Sequence, residues 1–205
     1  MEADALDAQS SSPISLRGAV LAVALLNLAY FGVEFTVALA IGSVSLFADS
    51  VDFLEDASVN ILIAVAIGWS PRRRAMLGMA LAAILLAPAL AGLWTAYQKL
   101  VAPVAPEPFR LTLTGIGALA VNLTCALILA RFRDHSGSLT KAAFLSARND
   151  VLANIAIILA GLVTAYLWRS AWPDLMVGIA IAIMNTDAAR EVFEAARGEH
   201  EAARP

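Results

Sequence analysis

A single cysteine in 205 residues rules out a disulfide within the chain and leaves no basis for a thiolate metal cluster. Cys125 stands in an apolar run and reads as packing. No H-E-x-x-H occurs, so a zinc-protease helix is excluded. Charged residues make up 15% of the chain, and no basic run with interleaved aromatics is present to bind nucleic acid. The opening stretch, "MEADALDAQSSSPIS", lacks the basic region and small-residue cleavage site of a secretory signal. Residues 1–17 are therefore expected to form a short disordered cytoplasmic tail. What is present in excess is apolar: 60% hydrophobic residues and a mean hydropathy of +0.76. Such a composition is that of an integral membrane protein rather than a soluble domain.

A helix crosses a bilayer with roughly 20 mostly apolar residues. Six segments meet that length, at about 18–40, 45–69, 76–98, 111–130, 142–167 and 174–190. The expected fold is all-α and polytopic, a six-helix transport domain over 18–190, with 191–205 as a short cytoplasmic tail. The connections are too short to hold a soluble domain. Placing both termini in the cytoplasm puts Arg17, Arg72, Arg73, Arg74, Arg131, Arg133, Lys141, Arg190, Arg197 and Arg204 inside and leaves Lys99, Arg110 and Arg169 outside. The expected location is thus the cell membrane, the inner membrane of a bacterium. "VAPVAPEPFR" reads as an irregular outer loop, Trp168 and Trp172 as an interfacial belt, and Pro88 as a bend in the third span.

The second span is unusual. "FADSVDFLEDA" puts Asp49, Asp52, Glu55 and Asp56 within one short stretch. At 3.6 residues per turn, Asp49, Asp52, Asp56 and Asn60 share one helix face within about 80°, and Glu55 lies to its side. An aspartate at the centre of a span costs about 2.5–3.5 kcal/mol on insertion scales. Several together call for a water-filled cavity, a cation or neutralising protons. The bland reading pairs them with Arg148 or leaves Asp49 at the outer interface.

The fifth span mirrors the second. "AAFLSARNDVLANIAIILAG" aligns without gaps on "ADSVDFLEDASVNILIAVAI", matching Asp56 with Asp150 and Asn60 with Asn154. Asp52 falls on Ser146 and Glu55 on Asn149. Two three-span units insert with opposite topology, and inverted repeats with polar residues in matching helices are the pattern of secondary transporters. Asp52, Asp56, Asp150 and a neighbour can converge oxygen ligands on a divalent cation. Ions and protons would then compete for the same carboxylates.

The quoted residues bear a resemblance. "SVSLFADSVDFLEDA" resembles the second-helix motif of the cation diffusion facilitator family, and "AAFLSARNDVLANIA" its fifth-helix motif. The "S-R-N-D" stretch resembles a bacterial subgroup. The resemblance implies dimeric, proton-coupled exporters of divalent metals such as Zn²⁺, Co²⁺, Cd²⁺, Mn²⁺ or Fe²⁺, with two site residues from each motif. Position by position these are Asp52, Asp56, Asp150 and Ser146. Serine stands where the family commonly has histidine, so water or Asn149 is the other candidate for the fourth ligand. Most members carry a metal-binding cytoplasmic domain after the sixth helix. Its absence is expected here, with any homodimer resting on membrane helices. No prosthetic group is expected, the metal being substrate. The His-rich loop of the family is reduced to His135, read as a solvated side chain.

Other polar residues have bland readings beside functional ones. Asn27, Glu34 and Asn122 either line the same cavity or join helices by hydrogen bonds. Arg148 is expected to pair with Glu34 or Glu55, or to reach for the interface; Asn185 and Asp187 fall near the cytoplasmic end of the last span. An intramembrane aspartyl protease would want a G-x-G-D signature, which is missing, so the chain is read as no enzyme. A non-transporting metal sensor or structural subunit is the remaining alternative, and it would not need ligands in two inverted helices.

Overall fold

The computed structural model describes residues 15–66, 69, 73, 76, 90, 92–132 and 138–184; of the side chains in 138–145 it describes only Ala143. Residues 1–14 of the expected N-terminal tail, the C-terminal tail, most of the third span, and His135, Asn185, Asp187 and His200 lie outside them, while Leu16 and Arg17, expected in the tail, open the first helix. All regular structure among the described residues is helical. The helices are α1 (Leu16–Ile41), α2 (Val44–Ala66), α3 (described over 92–101), α4 (Pro108–Ala130), α5 (Ser138–Tyr166) and α6 (Trp172–Met184).

Local signals set the ends. Ser15 caps α1 by accepting from the Gly18 N–H at 3.2 Å. Gly42 ends it in the left-handed region, φ 63°, a conformation that costs glycine nothing. That two-residue turn sends α2 straight back along α1. Glu107 caps α4, its carboxylate accepting from the N–H groups of Phe109 and Arg110, with Pro108 in the first turn. The helix therefore starts inside the stretch expected to be loop: the last proline of "VAPVAPEPFR" pre-sets a helical φ where its missing N–H costs nothing.

Helices α1, α4 and Ser146–Tyr166 of α5 are each long and apolar enough to span a bilayer. Leu25, Leu39, Phe109, Leu127, Leu152 and Leu159 stand exposed on them, as side chains facing lipid would. Helix α2 carries too much acid to qualify by composition, and it is held instead by packing on α1, α5 and α4.

Two apolar clusters close the ends of the bundle. One gathers Val20 and Val23 of α1, Ile63 and Ala64 of α2, Cys125, Ala126 and Leu129 of α4, and Ala143 and Ala147 of α5. The other gathers Ala38, Leu46 to Ala48, Val51, Leu111, Ala153, Ile157 and Ile181 of α6. Helix α1 runs from the first cluster to the second and α2 back; α4 runs from the second to the first and α5 back. The two hairpins have opposite senses, as inverted repeats require. Contact is close where small residues permit it: a Cβ on Gly117 would fall 2.2 Å from the Tyr30 hydroxyl, which donates to the Thr114 carbonyl at 2.6 Å. Between the clusters lies a polar layer drawn from all four helices.

Candidate metal-binding site

The polar layer has two parts. In the first, α2 presents Asp56 to α5. Asp56 is buried, and its Oδ1 accepts from the Ser146 hydroxyl at 3.0 Å. The Asp150 carboxyl, one turn along α5 from Ser146, lies against that of Asp56. Asp52, one turn back along α2, is half-buried and feels the charges of Asp150, Asp49, Glu55 and Asp56. Asn60 donates from Nδ2 to the Asp56 carbonyl at 2.8 Å, satisfying its own helix. Asn149 is exposed and its Oδ1 is 3.5 Å from the Arg148 guanidinium. The fourth position named by motif, Ser146, is thus the one that touches the acids here, while Asn149 turns away. Arg148 reaches Asn149, and no ion pair joins it to Glu34 or Glu55 among the described residues.

In the second part, Asp49 is fully buried and its Oδ2 accepts from Asn154 Nδ2 at 2.6 Å. Asn154 Oδ1 in turn accepts from Asn122 Nδ2 of α4 at 3.1 Å. Glu34 of α1, also fully buried, lies beside Asp49, and neither of its oxygens meets a donor among the described residues. Cys125 Sγ donates weakly to Asn27 Oδ1 at 3.6 Å. Asp49 is no interfacial residue: it is the hub of hydrogen bonds joining α2 to α5 and, through Asn154, to α4.

Carboxylates packed side by side in a low-dielectric layer repel, and each has surrendered its hydration. The arrangement is affordable with a cation or protons between them. Among the described residues no three His, Cys, Asp or Glu side chains close on one point tightly enough to hold an ion. Asp56 and Asp150 stand as an adjacent pair across the α2–α5 seam, a partial set of hard oxygen donors.

The roles of two groups are not legible in the sequence. Asn154 was matched to Asn60 by the internal repeat, yet it serves Asp49 rather than its own helix. Asp174 of α6 is fully buried at the start of α2, and its only signal was an acid just inside a span, after "AWP".

Residues 20–197 match the model of the cation efflux transmembrane domain. The chain belongs to that family, the cation diffusion facilitators. It is 28% identical, over an alignment of 201 positions covering 90% of this chain, to the cation-efflux pump FieF of Salmonella arizonae. It is 29% identical over the same coverage to the cation-efflux pump FieF of Salmonella choleraesuis. The chain spans 64% of the length of each of these relatives. Membership of this family and three apolar helices of lipid-spanning length make the chain a membrane-embedded member of the cation efflux family.

Proposed function

We propose that the chain exports a divalent metal cation of the Zn²⁺, Co²⁺, Mn²⁺, Fe²⁺ or Cd²⁺ class from the cytoplasm in exchange for protons. The observation that carries this reading is the seam between α2 and α5. There Asp56, Asp150 and Ser146, from hairpins of opposite sense, come together in the middle of the bundle. Asp52 joins them from the next turn of α2, and Ser146, with water, completes the ligand set; Asn149 would have to rotate inward. Carboxylate oxygens bind hard and borderline cations, and they bind protons when the ion departs, so one site exchanges the two. Such a cycle needs no bond-making chemistry, and the chain acts as a transporter rather than an enzyme. The excess of arginine and lysine in the loops on the termini side supports a topology with both termini in the cytoplasm, in the inner membrane of a bacterium on this reading. Two copies would associate through their membrane helices. No prosthetic group takes part, and nucleic acid is not a partner.

The test is flux. Purified protein in liposomes with an imposed pH gradient is offered Zn²⁺, Co²⁺, Mn²⁺ and Fe²⁺ in turn, with metal and proton movement followed together. Wild type should move at least one metal against protons, and Asp56→Ala and Asp150→Ala should each abolish it. Equal flux in the variants would remove these carboxylates from the transport site.

A further inference from the structure

Beyond the cluster of Ala38, Leu46 and Phe47, the bundle is closed by a polar assembly separate from the metal-site acids. At its centre is Asp174, near the start of α6 and fully buried. Its Oδ1 accepts from the hydroxyls of Ser43 and Ser45, both at 2.6 Å, and from the Ser45 N–H at 3.1 Å; its Oδ2 accepts from the Val44 N–H at 2.9 Å. A carboxylate on the first N–H groups of a helix is a cap that completes the helix dipole. This cap comes from a different helix, 130 positions along the chain. Lys99 of α3 donates to the carbonyl of Gly42, in the turn just before α2, and its charge reaches Asp174. One turn along α6, a Cβ on Gly178 would fall 2.7 Å from backbone atoms of Val44 and Ser45, so the two helices meet backbone to backbone. The start of α2 is thereby pinned to α6 at one carboxylate, and α3 is joined to the turn just before it.

Burial along α2 is lopsided. Every residue from Ser43 to Val51 is buried, whereas Asp52, Leu54 and Glu55 are partly exposed. Across the seam, Asp150 and Ser146 are partly exposed and Asn149 is exposed. The carboxylates are sealed from the Asp174 end and less so from the other. A transporter must reverse that asymmetry in each cycle.

We propose that Asp174 is the latch of a gate, holding the first turn of α2 shut, and that the carboxylate site opens to this side only when Ser43, Val44 and Ser45 leave it. The proposal deepens the transport reading and rests on it. The freed N–H groups and hydroxyls are then satisfied by the water that fills the opened path, so the gate has two states with paired polar groups in each. Asp174→Asn weakens only the shut state, because one oxygen becomes an NH₂ group facing groups that themselves donate.

The experiment reads accessibility, not flux. The reporter is Ser50→Cys, buried on α2 beyond the latch, in a Cys125→Ser background of the full chain in liposomes. The probe is a membrane-impermeant cationic methanethiosulfonate reagent applied from the Asp174 side. Losing one charge-assisted hydrogen bond should speed labelling roughly tenfold or more in Asp174→Asn. Ser45→Ala, which keeps the carboxylate, should give a smaller rise. A second reporter, Ala147→Cys, buried in the cluster at the opposite end, should label at an unchanged rate. Equal Ser50→Cys rates with and without Asp174 overturn the latch, and so does a parallel rise at Ala147→Cys, which would mean general loosening. Labelling needs no metal, so a wild type that moves none would defeat the transport reading while leaving this result readable.

Discussion

Replacing Asn154 by leucine tests whether the Asp49 hub holds the bundle together. The change keeps the number and branching of the side-chain heavy atoms and removes two bonds at once. Asp49 Oδ2 loses its donor at 2.6 Å, and Asn122 Nδ2 loses its acceptor at 3.1 Å. Interhelical hydrogen bonds in membrane proteins average only about 0.6 kcal/mol, with a maximum near 1.7. Bonds to charged groups in water-soluble proteins contribute about 1.5–3 kcal/mol. Asp49 and Asn154 are both fully buried, and the other Asp49 oxygen meets no donor among the described residues. The carboxylate bond therefore belongs at the upper end of the membrane range, and the amide–amide bond near its average. Together they predict a loss of about 2 kcal/mol. The assay is unfolding of the detergent-solubilised protein by added sodium dodecyl sulfate, followed by tryptophan fluorescence. A double-mutant cycle with Asp49→Leu isolates the pair and should give a coupling of about 1 kcal/mol or more. Removing Asp49 as well should recover part of the loss, since the orphaned acid goes with it. If the two changes add within about 0.3–0.5 kcal/mol, the bond does not contribute and the hub is incidental.

Four other outcomes are expected. Gly178→Val should destabilise the bundle by about 1–3 kcal/mol, since its Cβ meets the α2 backbone rather than a side chain that can swing aside; Gly42→Ala should cost about 1–2 kcal/mol through its left-handed φ. The same unfolding titration measures both. Ser146→Ala should weaken metal binding by less than about tenfold, because a neutral hydroxyl contributes about one ordinary hydrogen bond or water-replaceable ligand; calorimetric titration checks it, and complete loss would make the hydroxyl an obligatory ligand. Metal affinity should rise from about pH 6 to pH 8, since ligating carboxylates must be deprotonated and protons compete at the lower pH. Titrations that give one affinity across that range would argue against Asp52, Asp56 and Asp150 as ligands.

Hydropathy and helical periodicity determined by themselves that this chain is an all-helical membrane protein, and which face of α2 is acidic. They did so because lipid forces every backbone group to be satisfied within its own helix, so spans are legible as local runs. The gapless likeness of the second and fifth spans also placed Asp56 and Asp150 together before any helix was packed. Other features needed the tertiary structure. Ser146 and Asn149 sit three apart on one helix, and periodicity alone left both open; the rotation of α5 against α2 turned Ser146 to Asp56 and Asn149 outward. Asn154 bonds across to Asp49, 105 positions away, and Asp174 caps a helix 130 positions away. A side chain's periodicity fixes the direction in which it points, but what it meets there depends on the register between helices far apart in sequence. That register is set by close packing at Gly117 and Gly178 and by the two apolar clusters, all of which exist only once the helices are assembled.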